Sequence, residues 1–204
     1  MRRHDHENYD PDWVNGSFVL ACTCSNSKCS QSVIFQGNWK VVYNNGDPEH
    51  GDYGNLLMVR TIDPHFHLLR VPDSSPEPAK AAIASAAKII WLDPSSAAGR
   101  LRTAVERVLD DQGISATIAS GGWRNADRRI SEFQKSNPLA GDAMMAVKWI
   151  GNSGAHDDQL TSTDVLDGAT VLELALKVVY DMTDAATIDH INAINAAKGL
   201  PTRP

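Results

Sequence analysis

The chain has 204 residues, 42% of them hydrophobic, and a formal net charge of −6. That length buries a full core as one ordinary domain with room for a small extra module. Every apolar run stops short of the roughly 20 residues that a membrane span needs, and the opening MRRHDHENYD has no apolar centre of the kind a secretory signal carries. The expectation is a cytoplasmic protein, and the acidic balance argues against a wholly cationic surface for nucleic acid while leaving room for a local basic groove.

Residues 1–75 read as a small β-rich module. Short β-prone runs at 19–21, 33–35, 39–43 and 55–62 are punctuated by Gly37, NNGDPEHGD and DPH. Cys22, Cys24 and Cys29 fall within eight residues, a spacing that suits reduced thiols or a metal knuckle better than a disulfide framework. Zinc takes four ligands, usually as two pairs. Here the first spacing is short and the second pair is missing, so His50, His65 or His67 would have to complete a site. The alternative is an eroded knuckle or plain buried thiols, and no cofactor is expected.

VPDSSPEP marks the junction, read as a linker or a turn into a helix, and residues 76–204 carry helical patterning. A first helix is expected over 78–91. A second, capped by Asp93 with Pro94 at its first position, should run to Gly113. Its Leu101, Ala104, Val105, Val108 and Leu109 recur at helical spacing and must face a core, with Arg102 and Glu106 at i and i+4 on one edge of that stripe. A third helix over 125–135 should bury Ile130 and Phe133, and Pro138 should open a fourth that ends at Ile150. The fifth, 163–182, is polar along one stripe (Asp164, Asp167, Thr170, Glu173, Lys177, Asp181), which predicts the central member of a bundle. A sixth is expected over 186–198.

The fourth helix should end in VKWIGNSGAHDD, which places Gly151, Asn152, Gly154 and His156 in one short break. Two glycines free the backbone, and His156 titrates near neutral pH. If the helices pack as a bundle, Arg102 and Glu106 can meet Asn152 and His156 in one cleft. A cation, a carboxylate, an amide and an imidazole are suitable equipment for cutting a phosphodiester without metal. The plainer alternative is an interhelical ion pair and a capped helix end. Trp91 and Trp149 end apolar runs and read as core anchors. Trp123, with Arg124, Arg128 and Arg129, is the one cationic and aromatic segment worth testing as an RNA contact, against a solvated helix face.

The runs DPSSAAGRLRTAVERVLDDQGI, RRISEFQ, MMAVKWIGNSGAHDD and DVLDGATVLELALKVVYD resemble the bacterial domain-of-unknown-function family catalogued as four-one-four-five. Its Arg-x-Ala-φ-Glu helix is matched by Arg102, Ala104, Val105 and Glu106. Its φ-Gly-Asn-x-Gly-x-His element is matched by Ile150, Gly151, Asn152, Gly154 and His156. That family in turn resembles the HEPN superfamily of helical bundles found in defence systems, many of them dimeric, metal-independent ribonucleases with an Arg-Asn-x-x-x-His element. In this chain the asparagine and histidine keep their spacing, but Gly151 stands where the arginine would be, and only Arg102 or Lys148 could supply a substitute cation.

The resemblance implies an α+β protein in which an all-α, HEPN-like bundle follows a small β-rich module, and a homodimer. It further implies a component of bacterial defence or stress response that engages RNA, using Arg102, Glu106, Asn152 and His156 if it is an endoribonuclease. The competing expectation is a non-catalytic module that holds a partner protein or nucleic acid, and a third is a zinc-dependent structural adaptor.

Overall fold

The computed structural model describes residues 14–43, 53–118, 121–156 and 160–181, with residues 154–156 described by their backbone alone. His50, Met182 and the sixth helix expected over 186–198 lie outside the described residues. The protein is mixed α+β. Strands β1 (Asn15–Thr23), β2 (Ser32–Tyr43) and β3 (Tyr53–Asp63) precede helices α1 (Glu77–Ile89), α2 (Pro94–Asp111), α3 (Ala126–Phe133), α4 (Pro138–His156) and α5 (Ser162–Tyr180).

The strands form an antiparallel sheet in the order β1-β2-β3. The runs expected at 33–35 and 39–43 are one strand, continuous through Gly37. A Cβ on Gly37 would lie 2.0 Å from the Met58 carbonyl oxygen, so only glycine lets the two backbones approach here. The register with β3 slips at this point, leaving Arg60 as the extra residue of a bulge. Leu20, Phe35 and Ile62 pair across the three strands, as do Trp39 and Leu57. No residue of the sheet is fully buried. Its cohesion therefore comes from ladder hydrogen bonds and these cross-strand pairs.

The core lies in the helices, and α2 is the member that touches the other four. Its expected stripe, Leu101, Ala104, Val105, Val108 and Leu109, is buried to within 1% exposure. Asp93 caps it by accepting from the Ser96 backbone N–H at 2.8 Å, and Pro94 occupies the first turn as expected. Asn125 caps α3 through the Arg128 N–H at 3.0 Å. Thr161 and Asp164 form a reciprocal capping box on α5. Alanines 79, 86, 97, 98, 104, 140, 169 and 175 are wholly buried, and these small side chains let the helices lie close together.

Two expectations about the helices are corrected. The fifth helix is not central: α5 packs on α4 and on part of α2, while Leu166, Leu174 and Val178 are 36%, 43% and 42% exposed. A helix that is apolar on most sides can still lie at the rim, because an exposed Leu or Val costs little when the opposite face, here Val165, Ala169, Leu172 and Leu176, is buried. The fourth helix does not stop at Ile150 but runs unbroken through His156. The glycines of this segment have poor helix propensity, but tertiary packing overrides propensity.

The junction is held against the bundle. Leu69 is buried, the Arg70 N–H donates to Glu173 Oε2 at 2.9 Å, and Ser74 Oγ donates to the Tyr180 carbonyl at 2.8 Å. Tyr180 in turn donates its hydroxyl to Asp111 Oδ2 at 2.7 Å, tying the end of α5 to the end of α2. Burial, followed by the neighbouring Asp111 carboxylate, pushes the phenol well above its ordinary range.

Arg129 was expected on a solvated face or against RNA, yet it is 2% exposed. Its Nε donates to the Ile114 carbonyl at 2.8 Å and its Nη2 to the Glu106 carbonyl at 3.1 Å and Asp110 Oδ1 at 2.6 Å. One guanidinium thus satisfies the end of α2, the loop after it and α3 together. Its planar fork allows this where a lysine would reach only one of the three.

Two substitutions test this architecture. Leu172→Asp places an unpaired carboxylate among fully buried side chains and should unfold the bundle or lower its melting temperature by well over 10 °C, as read by circular dichroism. Arg129→Met should cost about 2–3 kcal/mol in urea denaturation, whereas Arg128→Met, at an exposed position, should change stability by no more than about 0.5 kcal/mol.

Candidate functional site

The side of α2 that carries Arg102 and Glu106 meets α4 at Gly151. A Cβ on Gly151 would lie 2.8 Å from Arg102 Cβ and 3.1 Å from the Ala98 carbonyl oxygen, so the two helices touch only because residue 151 has no side chain. From that contact Arg102 reaches along α4 and donates from Nη1 to Asn152 Oδ1 at 2.8 Å. Its Nε lies 3.4 Å from Glu106 Oε1, an ion pair whose alignment leaves the buried Nε without a hydrogen bond. Arg102 and Glu106 are 38% and 33% exposed, so the attraction between them is partly screened by water.

The structure thus brings together three of the four expected site residues, Arg102, Glu106 and Asn152. The backbone of the fourth, His156, stands one turn beyond Asn152 in the same helix, and its side chain lies outside the described residues. The expected loop is a helix, so Asn152 and His156 share a face of α4 at i and i+4. Of the two candidate substitute cations, Lys148 is spoken for: it is 4% exposed and paired with Asp127 Oδ1 at 2.5 Å. Arg102 holds the position beside Gly151.

Above this cluster lies an open groove of roughly 710 Å³, lined by Arg102, Glu106, Gly151, Leu160 and the first turn of α2 from Asp93 to Ser96. Hydrogen bonds from Ser96, side chain first and backbone second, hold the Asp93 carboxyl below its usual range and keep it anionic as the helix cap. Among the described residues, the Arg102 guanidinium and the Asp93 and Glu106 carboxylates share the lining. This groove can present a half-exposed cation to an oxyanion, with a carboxylate close enough to orient it.

The other candidates separate. Cys22 lies in β1, Cys24 and Cys29 lie in the turn after it, and all three thiols are exposed rather than buried. Among the described residues no three His, Cys, Asp or Glu side chains converge as metal ligands. His65 and His67, with ring centres 6.5 Å apart, instead line a cavity of about 220 Å³ against α1. The GGWRNADRR segment is not a continuous cationic patch. Trp123 is 72% exposed, but Arg124 pairs with Glu132 and Arg129 is buried, which leaves Arg128 as the exposed arginine of the three.

Trp91 is partly buried against the core as expected, whereas Trp149 is no core anchor: it is 57% exposed. Helical geometry explains the exchange, because Val147, Lys148 and Gly151 face inward and Trp149 falls on the outer side. Neither the role of Gly151 nor the exposure of Trp149 was recognised from sequence. A signal for the first did exist, since a glycine inside an otherwise apolar helical pattern often marks close helix–helix approach.

Glycine substitutions separate packing from propensity at this site. Gly151→Ala should destabilise the protein by about 1–3 kcal/mol by pushing α4 off Arg102. Gly99→Ala, in the same groove but with nothing within 4 Å of the added methyl, should stabilise α2 by up to about 1 kcal/mol. Urea titrations of both variants give the comparison.

Two family models match the chain. One, described as Domain of unknown function (DUF4145), covers residues 84–196, and the other, Domain of unknown function (DUF8608), covers residues 1–66. Neither a curated protein nor a solved structure matches. With its α2 to α5 helices and the whole Arg102 cluster inside the first match, which spans more than half of its length, the chain belongs to the DUF4145 family.

Proposed function

We propose that the chain is a HEPN-like module of a bacterial defence or stress-response system that engages RNA and cuts it without metal, through Arg102, Glu106, Asn152 and His156. The observation that carries this reading is the delivery of Arg102 across Gly151 onto Asn152. The cation absent from position 151 of the Asn-x-x-x-His element comes from the neighbouring helix.

The chemistry asks little more of these residues. A ribose 2′-hydroxyl attacks the adjacent phosphorus as its proton passes to the imidazole of His156. Arg102 neutralises the charge that builds on the non-bridging oxygens, and Glu106 and Asn152 hold the guanidinium plane. The 5′-oxygen leaves with a proton, and a 2′,3′-cyclic phosphate remains. A homodimer that lines one cleft with two His156 side chains supplies both the base and the acid.

A second reading, a non-catalytic module that holds a partner protein or nucleic acid, is favoured by Asp93 and Glu106, whose carboxylates offset the Arg102 guanidinium among the described residues of the groove. Cleavage of single-stranded RNA in the presence of EDTA separates the two. On the catalytic reading wild type cleaves, and His156→Ala and Arg102→Ala each lose at least about 100-fold in rate with the melting temperature of His156→Ala unchanged. Wild-type protein inert toward RNA would sink the nuclease and leave the interaction module.

A further inference from the structure

We propose that Trp149 is a stacking platform for a nucleobase, seating single-stranded RNA along α4 so that its backbone reaches the Arg102–Asn152 cluster; the inference rests on the RNA reading above. Trp149 is an indole 57% exposed in the half of α4 where Met144 and Val147 are buried, and so large an exposed ring calls for a physical reason. Its own surroundings supply one. The Lys148 ammonium lies 3.4 Å from the centre of the Trp149 ring, and that ammonium is itself buried and anchored by Asp127 at 2.5 Å.

One face of the indole is therefore closed by a fixed cation, and its orientation is set by α3 through Asp127. The exposed remainder offers a flat π surface. Cation–π attraction on the sealed side opposes rotation of the ring, so a base that stacks on it meets a preformed partner. A tryptophan serving only as core filling would be turned inward, and one serving only as a surface residue would need no buried ammonium beneath it.

Position along the helix connects this platform to the cluster. Asn152 follows Trp149 by three residues and His156 by seven, which at the rise of an α-helix is roughly 4.5 and 10 Å further along the axis. All three fall within about 60° of one another around the helix, taking 100° per residue. A base held at Trp149 places its own or the next phosphate of an extended strand near Asn152 and Arg102. Stacking tolerates any base because every base has a π face, but it favours purines, whose rings overlap more of the indole. The platform would thus give the strand both a register and a purine preference.

The test uses full-length protein and fluorescein-labelled 2′-O-methyl oligonucleotides, ten adenosines or ten uridines, which can be bound but not cut. Binding is followed by fluorescence anisotropy for wild type, Trp149→Phe and Trp149→Leu, with melting temperature measured alongside. Both variants keep apolar bulk, and only phenylalanine keeps a π face. The expected result is tighter binding of the adenosine strand by wild type, a loss of about 5- to 100-fold with the preference abolished in Trp149→Leu, and a smaller loss with the preference retained in Trp149→Phe. Wild-type binding matched by both variants, or lost equally in both, overturns the platform and leaves the RNA reading standing. A wild-type protein that binds neither strand at low salt overturns the RNA reading, and the platform with it.

Discussion

The burial of α2 is the constraint on which the remaining helices depend. An amphipathic helix satisfied on one side needs one neighbour, but α2 touches four, and its buried positions are mostly alanine and valine with two leucines. Small side chains permit close approach, and close approach makes the contact surface sensitive to single atoms. Gly151 is the limiting case, with Arg102 Cβ lying 2.8 Å from where its own Cβ would stand. The same proximity that packs the core also sets the stem of Arg102 against α4, so the polar cluster follows directly from the packing.

What the sequence disclosed is what local rules govern. Asp93 followed by Pro94 and the Pro138 start are decided by capping and by the fixed geometry of proline, and each is found as expected. The α2 stripe and the Ile130–Phe133 pair follow from helical spacing and are likewise buried. The errors arose where a distant residue overrides a local preference. GNSGAH reads as a break in isolation, and packing against other helices, α2 at Gly151 among them, keeps it helical. Arg129 reads as a surface cation until Asp110 and two backbone carbonyls are brought around it. The outward turn of Trp149 depends on Lys148 being drawn inward by Asp127, an ion pair between α3 and α4 that no spacing rule predicts. At the candidate site, residue identities were legible because their types and order are unusual. Their mutual geometry was not, because it is made across two helices.

That geometry also explains why α4 carries so many apparent irregularities in a short stretch. Lys148 faces α3, Gly151 faces α2, Trp149 faces outward, and Asn152 receives Arg102, so four successive requirements fall on five residues. Each replaces an ordinary apolar helix former with something less favourable for helix formation or burial. The helix persists because the long apolar stretch preceding it, with Ala140, Ala143, Met144 and Val147 buried, and the contact with α2 and α5 hold it in place.

The three-stranded sheet presents the opposite situation. Its strands are laddered to one another along their length, yet none of its side chains is sealed from water, and α1 is in contact with β3. Local opening there exposes little additional apolar surface, so its free energy lies far below that of opening α2. Amide protons of β1 and β2 would then trade with solvent deuterium through fluctuations that leave the helices intact, while those of α2 wait for global unfolding. A molecule with this unequal distribution of burial unfolds in more than one step, and a single free energy of unfolding describes its helical part rather than the whole chain.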